Sequence, residues 1–251
     1  MTQRDGHRML IGILETGRPP EVLKDRHQTY PGMFETLLAQ ANPELTFRAF
    51  AAIDGEVPDN PHLCDGWLIT GSRHGVYEKL PWMLKLEQLI RDCVAAKVPV
   101  VGICFGHQIM AEALGGKVEK SSKGWGLGLH NYEVTQRPEW MADAPGTVTI
   151  PAVHQDQVVV KPPGAEVLAC SEFCEYAALA YDDVGVSFQG HPEFSEDYQR
   201  DLLEFRFKGL APDEVIAKAR QSFEARTSDS GKAARWLGRF FLSHAKGRAA
   251  A

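Results

Sequence analysis

Val98-Pro99-Val100-Val101-Gly102-Ile103-Cys104-Phe105-Gly106-His107-Gln108-Ile109-Met110 is the stretch that decides the fold. Its first half is a continuous β-branched run, the composition of a strand covered on both faces in the interior of a parallel sheet. From Gly106 to Leu114 the apolar residues recur at helical spacing, and Gly115-Gly116 closes the helix. Cys104 therefore stands where a buried strand turns directly into a helix, with Gly102 and Gly106 on either side of it. Small neighbours leave room for a sharp backbone turn, and such a turn can hold a nucleophile in a strained conformation above a sheet. N–H groups at a helix start can also stabilise a thiolate and donate to an oxyanion. The plainer reading is that Cys104 is a small buried apolar residue, the common fate of a cysteine.

Working outward, the upstream half repeats strand and helix. Met9 to Leu14 reads as a strand, Pro31 with Met33, Phe34, Leu37 and Leu38 as a short amphipathic helix, and Leu45 to Phe50 as a second strand. After the loop Asp54 to Pro61 comes the short buried run Gly66 to Ile69, then the turn Thr70-Gly71-Ser72. Pro81 opens a helix whose apolar face is Trp82, Leu86, Leu89, Ile90 and Val94. This order predicts an α/β fold with a mostly parallel central sheet and helices on both faces. Downstream, Gly128 to Val134, Thr147 to Ile150, Gln157 to Val160, Ala177 to Ala180 and Val184 to Gln189 read as short strands, several of them antiparallel extensions. The last quarter reads as helical: Asp197 to Phe207, Asp213 to Ala225 and Lys232 to Ser243. The stripe Trp236, Leu237, Phe240 and Phe241 predicts packing on the main domain, and Gly247 to Ala251 is read as frayed. The expected division is a domain over 1–200 and a C-terminal helical extension over 201–251 packed on it.

Composition bounds what the chain can be. With 251 residues, 44% apolar and 24% charged, it can build a core without a metal or cofactor, and disorder, collagen and a disulfide-stapled miniature fold are excluded. A net charge of −6 with no localised basic patch argues against a nucleic-acid partner. Five cysteines, an odd number, fit free thiols in a reducing compartment. Cys170 and Cys174 form an isolated C-x3-C with no second pair, so no metal is expected. No run of 18 apolar residues suggests a membrane span, and the start lacks a secretory leader's apolar core, so the cytoplasm is the expected location.

A thiolate nucleophile needs a base, and the base needs an orienting group. Gln189-Gly190-His191-Pro192-Glu193 offers both, placed just after an apolar strand. If that strand lies beside the one ending at Cys104, His191 reaches the carboxyl edge of the sheet, where α/β sites form. Glu193 is close enough to accept the second ring N–H, and Pro192 stiffens the turn between them. Alone, the segment reads equally as a surface histidine beside a helix cap.

On Gly102-Ile103-Cys104-Phe105-Gly106-His107-Gln108 and Gly190-His191-Pro192-Glu193, in that order and at that separation, the chain resembles the class I glutamine amidotransferases over about residues 8–200. The resemblance implies a flavodoxin-like three-layer sandwich. It also implies that Cys104 attacks a side-chain amide, that His191 takes the proton and returns it to the leaving ammonia, and that Glu193 orients His191. Leu68-Ile69-Thr70-Gly71-Ser72 stands where that family has its oxyanion turn, which makes the N–H groups of Gly71 and Phe105 the expected donors. Family members carry Gly-Gly-Pro or a similar sequence at this turn, so Gly71-Ser72-Arg73-His74-Gly75 departs from the pattern and changes the pocket wall. Gln108 matches a residue that helps hold the substrate's amino-acid end. Val153-His154-Gln155-Asp156-Gln157-Val158 resembles the family's His-x-Asp-x-Val segment, making His154, Gln155 and Asp156 substrate-binding candidates. His107 is expected to pack or cap at the elbow helix, and Lys123 carries a weaker signal.

Members of this family usually pass ammonia to a synthetase. Here the residues after the resembling region are too few for one, and neither G-x-x-x-x-G-K-S/T nor a Ser-Gly-Gly-x-Asp-Ser signature occurs. Ammonia would go to a separate synthetase subunit, or water would resolve the thioester. The whole-chain pattern is similar to stand-alone members related to the amidotransferase domain of GMP synthase, some of which hydrolyse γ-glutamyl peptides. The expectation is hydrolysis or transfer at the side-chain amide of glutamine or a γ-glutamyl compound. The alternatives are a stand-alone γ-glutamyl peptide hydrolase and a non-catalytic binding or regulatory protein that keeps the fold.

Overall fold

The computed structural model of the protein describes residues 8–248. The leader reading and the frayed-tail reading fall partly outside them, on 1–7 and 249–251. Strand and helix alternate through β1 (Met9–Leu14), α1 (Tyr30–Ala41), β2 (Leu45–Phe50), β3 (Gly66–Ile69), α2 (Pro81–Ala95), β4 (Val100–Ile103) and α3 (Phe105–Ala113). Thr29 caps α1 by accepting the Gly32 N–H, and Pro81 stands at the first turn of α2, where its missing N–H costs nothing. Then follow β5 (Lys117–Lys120), β6 (Gly126–Val134), β7 (Thr147–His154), β8 (Asp156–Val160), β9 (Glu166–Cys170), β10 (Ala178–Tyr181) and β11 (Gly185–Phe188). The helices α4 (Glu196–Leu202), α5 (Asp213–Ala225) and α6 (Ser230–Arg248) complete the order.

Nine strands form one sheet in the order β2-β1-β3-β4-β11-β10-β9-β6-β7, while β5 and β8 pair separately. The half from β2 to β11 is parallel and the half from β11 to β7 antiparallel, as the sequence leads one to expect. Side-chain alternation along the strands builds the three layers. Ile11, Ile13, Leu68, Val101 and Ile103 meet Phe34 and Leu38 of α1 and Trp236, Leu237 and Phe241 of α6. On the opposite face Trp67, Ile69 and Val100 meet Trp82, Leu86 and Ile90 of α2 and Ile109 and Met110 of α3. Each such large side chain, fully buried, stabilises the fold by roughly 1.5–3 kcal/mol. A third cluster joins Leu127 and Leu129 of β6 to Tyr198, Leu202, Phe207, Ile216 and Phe223.

Several boundaries depart from the sequence reading. β4 starts at Val100 rather than Val98, because Lys97 takes φ 54° and the Val98 N–H closes α2 on Cys93 O at 2.9 Å. β7 runs past Ile150 through Pro151 to His154. Proline is tolerated there because β7 is the edge of the sheet, and its carbonyl is still used, accepting the His191 N–H at 2.7 Å. The helix read over 197–207 is α-helical only to Leu202, and Leu203–Phe207 forms a π-helical turn. β5 carries a single apolar residue, and β9, Glu166-Val167-Leu168-Ala169-Cys170, shows no alternation, so neither stands out from sequence.

The elbow is built by close backbone approach. A Cβ on Gly102 would lie 2.4 Å from Gly106 O, and one on Gly106 would lie 2.4 Å from Ile69 O. Gly106→Ala must therefore push α3 off β3, and urea unfolding should show a loss of about 1–3 kcal/mol, the usual cost of overpacking. Gly146→Ala, whose added methyl meets nothing within 4 Å, is the matched control. Equal stability of the two variants would contradict this account.

Candidate active site

Parallel register brings the candidate residues to one edge. Phe188 of β11 aligns with Ile103 of β4, and Ile69 of β3 aligns with Gly102. The residues just past those strand ends, Gly71, Cys104 and the 189–193 segment, consequently share the carboxyl edge of the sheet. The Cys104 N–H donates to Phe188 O at 2.8 Å, which ties the two turns together directly.

Cys104 precedes α3 with φ 52° and ψ −100°, a left-handed backbone unusual for a side-chain-bearing residue. It is 5% exposed, and its Sγ lies 3.9 Å from Val153 O. His191 stands beside Cys104 next to Gly71, and its Nδ1 meets Glu193 Oε1 at 2.7 Å. The Glu193 side chain is wholly buried. Phe194 stacks flat on the imidazole at 4.0 Å and 6°, and its far contacts are Tyr30 and Tyr198. Gly71 closes the arrangement, since a Cβ there would lie 2.7 Å from His191 Cε1 and 3.7 Å from Cys104 Cβ. No side chain fits between that turn and the imidazole.

Burial alone would drive His191 toward its neutral form. The charges of the Cys104 thiolate and the Glu193 carboxylate, with hydrogen bonds to both, outweigh it and push the imidazole up to about 10. Burial dominates at the other thiols: it pushes Cys93 and Cys174 up to about 12 and Cys64 to about 11, and it raises Cys170. All five cysteines are free.

The elbow faces a cleft of about 300 Å³, at the small end of small-molecule pockets. Gly71, Cys104, Gln108, His154, Gln155, Asp156 and His191 all line it. Gln108 Nε2 donates to Asp156 O at 2.9 Å and to Gln189 Oε1 at 3.2 Å, so its amide N–H groups tie α3 to two neighbouring segments and its oxygen is the atom left for a ligand. His154 is buried, with Nδ1 3.2 Å from Asp156 O, and burial followed by the nearby His130 pushes it down to about 3, leaving it neutral. The Asp156 carboxylate is hydrogen-bonded to Tyr77. His107 lies beneath the elbow with Nδ1 2.7 Å from Ser187 Oγ, and Lys123 lines a different, shallower cleft. Phe105 is the first residue of α3, so the helix's own ladder supplies no acceptor for its N–H.

Some of the surroundings have no sequence signal. Phe194 could have been suspected as the residue after Glu193. Arg206 and Leu210 reach the cleft only because the chain bends through the π turn, and Tyr30 because α1 starts beside it. Arg73, His74 and Glu78 form the wall after Gly71, with His74 Nδ1 2.9 Å from Glu78 Oε2. Among the described residues no group of three or more His, Cys, Asp or Glu could hold a metal ion, and no helix is long and apolar enough to cross a membrane.

Residues 49–209 match the family described as Glutamine amidotransferase class-I. The chain belongs to the class I glutamine amidotransferases. It is 33% identical to gamma-glutamyl peptidase 4 of Arabidopsis thaliana over 73% of this chain and 75% of that protein. It is 32% identical to the glutamine-hydrolyzing GMP synthase subunit of Pyrococcus abyssi over 47% of this chain and 63% of that one. A glutamine amidotransferase from Thermotoga maritima superposes with a TM-score of 0.71 at 21% identity, covering 94% of this chain and 99% of its own. One from Methylobacillus flagellatus superposes with a TM-score of 0.73 at 23% identity, covering 95% of each chain. At those identities the solved structures establish the fold, a mostly parallel sheet between helical layers.

Iodoacetamide at neutral pH should label Cys104 well before the other four thiols, which burial keeps protonated. Peptide mapping checks this, and uniform labelling would refute it. The Cys104 rate should change as His191 loses its proton near 10. His191→Ala should abolish that change.

Proposed function

We propose that this protein hydrolyses the amide bond of γ-glutamyl compounds through a thioester on Cys104. The observation that carries the reading is the packing of Cys104 and His191 at the floor of one small cleft, with Glu193 buried behind the imidazole and bonded to its Nδ1 at 2.7 Å. The Cys104 thiolate adds to the γ-carbonyl carbon, and the carbonyl electrons move onto oxygen. The N–H groups of Gly71 and Phe105 receive that oxyanion; each such donor is worth about 3 kcal/mol in the transition state. Collapse breaks the C–N bond as His191 passes its proton to the leaving amine. Water then adds to the thioester with His191 as base, and glutamate leaves with the thiolate restored. Glu193 holds the imidazole through Nδ1 and favours its cationic form, while the stacked Phe194 fixes the plane of the ring.

The cleft lining supports an amino-acid ligand. Arg73, Lys120 and Arg206 stand with Glu78 and Asp156 around it, suiting the carboxylate and ammonium of a γ-glutamyl group. Gln108, His154, Gln155 and Asp156 would hold that end. The coverage of the gamma-glutamyl peptidase relative, about three quarters of both chains, favours a peptide-like leaving amine and water as acceptor. A second reading, glutamine hydrolysis with ammonia passed to a separate synthetase subunit, draws on the similarity to the GMP synthase relative. In both readings the main domain spans 1–200 and the helices of 201–251 extend it.

The pure protein incubated with glutamine and a panel of γ-glutamyl amides and peptides should yield free glutamate and a trapped thioester on Cys104 by mass. Turnover of γ-glutamyl peptides well above glutamine supports the first reading, and ammonia from glutamine alone supports the second. Cys104→Ala should abolish turnover, and His191→Asn should lower kcat by about 10²–10⁴-fold. A silent panel would sink the first reading and point to an obligatory partner or to a non-catalytic binding protein.

A further inference from the structure

We infer that Thr16 is a positioning residue that aims the Gly71 N–H at the reacting carbonyl oxygen; the inference rests on the proposed oxyanion role of Gly71. Thr16 lies two residues past the end of β1 and Thr70 one past the end of β3, and the parallel register Leu14↔Ile69 sets the two turns side by side. Both threonines are completely buried. Neither lines the cleft, so neither is needed for binding a ligand directly.

Their hydrogen bonds are reciprocal. The Thr16 N–H donates to Thr70 Oγ1 at 3.0 Å, and the Thr16 hydroxyl lies 2.8 Å from Thr70 O and 3.1 Å from Gly71 O. The Thr70 hydroxyl lies 3.2 Å from Gly71 O and 3.2 Å from Thr16 Oγ1. Two hydroxyl protons serve two carbonyls: the Thr16 proton goes to its nearer acceptor, Thr70 O, and the Thr70 proton to Gly71 O. That assignment uses each donor once and leaves Thr70 Oγ1 free to accept the Thr16 N–H.

The consequence follows from peptide planarity. Thr70 O and the Gly71 N–H belong to one trans amide and point in opposite directions. Anchoring Thr70 O toward Thr16 turns the Gly71 N–H away from β1, and Gly71 itself abuts His191 and Cys104 on its other side. Gly17 presses on the same turn, since a Cβ there would lie 2.6 Å from Gly71 O and 2.8 Å from Ser72 Cα. The loop after β1 thus clamps the turn from behind. Without the Thr16 hydroxyl, Thr70 O would be a buried carbonyl lacking its donor, and the peptide would gain by rotating.

Thr16→Val and Thr16→Ser, which remove and keep the hydroxyl, are compared with the wild type on a chromogenic γ-glutamyl anilide. We expect Thr16→Val to lower kcat by about 10- to 100-fold, part of what loss of a whole oxyanion donor costs, with KM within about threefold. Thr16→Ser should keep most of kcat. Alkylation of Cys104 by iodoacetamide develops no oxyanion, so its rate should stay within about twofold in both variants. A crystal structure of Thr16→Val should show the Thr70–Gly71 peptide rotated. Unchanged kcat in Thr16→Val, parallel loss of kcat and alkylation, or an unrotated peptide would each overturn the inference. If Thr16→Val does not fold, Thr16→Ala takes the same measurements. A wild type that turns over no γ-glutamyl compound defeats the proposed function instead, and the peptide orientation then decides on Thr16 alone.

Discussion

Close backbone contact at the elbow is the constraint on which the site depends. Helix α3 sits so near β3 and β4 that Gly102 and Gly106 have no room for a methyl group. That approach forces Cys104 into a left-handed backbone, whose cost of order 1–3 kcal/mol is carried by the packing around it. A looser helix would relax Cys104 and withdraw it from His191. The strain thus couples sheet packing to the geometry of one sulfur atom, and Trp82 against Phe105 on the α2 side helps hold the helix down.

Electrostatics reinforces what packing sets up. An isolated buried imidazole is neutral, as His107 and His154 are, each pushed down to about 3. His191 is equally enclosed and yet favours its cation, because two anionic partners face it from opposite ring edges. The same low dielectric that depresses the first two strengthens the charge pairing of the third. Three histidines within one neighbourhood therefore have different chemistry, decided by partners and not by exposure. Removing both partners would leave desolvation unopposed.

Legibility in the sequence followed the range of the interactions concerned. The parallel half was readable because each strand is a short, mainly apolar run, and β1, β2 and β3 begin and end where that reading puts them. Cys104, His191 and Glu193 were visible because two compact motifs carry them. β5 was not, since Lys117-Val118-Glu119-Lys120 buries only Val118 and is held by its pairing with β8. Pro151 hid the length of β7, because a proline ends a strand unless that strand is an edge. The Thr16 and Thr70 pairing was invisible for a different reason: two threonines 54 positions apart mean nothing until the register of β1 and β3 is known.

The cleft is assembled from parts of the chain with unequal freedom to vary. Its floor, Gly71, Cys104 and His191, sits on turns fixed by parallel strands and by contacts too tight for an extra methyl group. Its wall includes Leu202, Arg206 and Leu210, supplied by the end of α4, the π turn and the segment after it. That turn is anchored from behind by Phe207, which packs edge-on to Trp125 in the cluster shared with β6. A π turn holds one residue more than the α-helical repeat allows, and that extra residue swings the following side chains around the helix axis. Substitutions at its exposed positions change what lines the approach to Cys104. This part of the wall and the floor of the cleft are therefore carried by different elements.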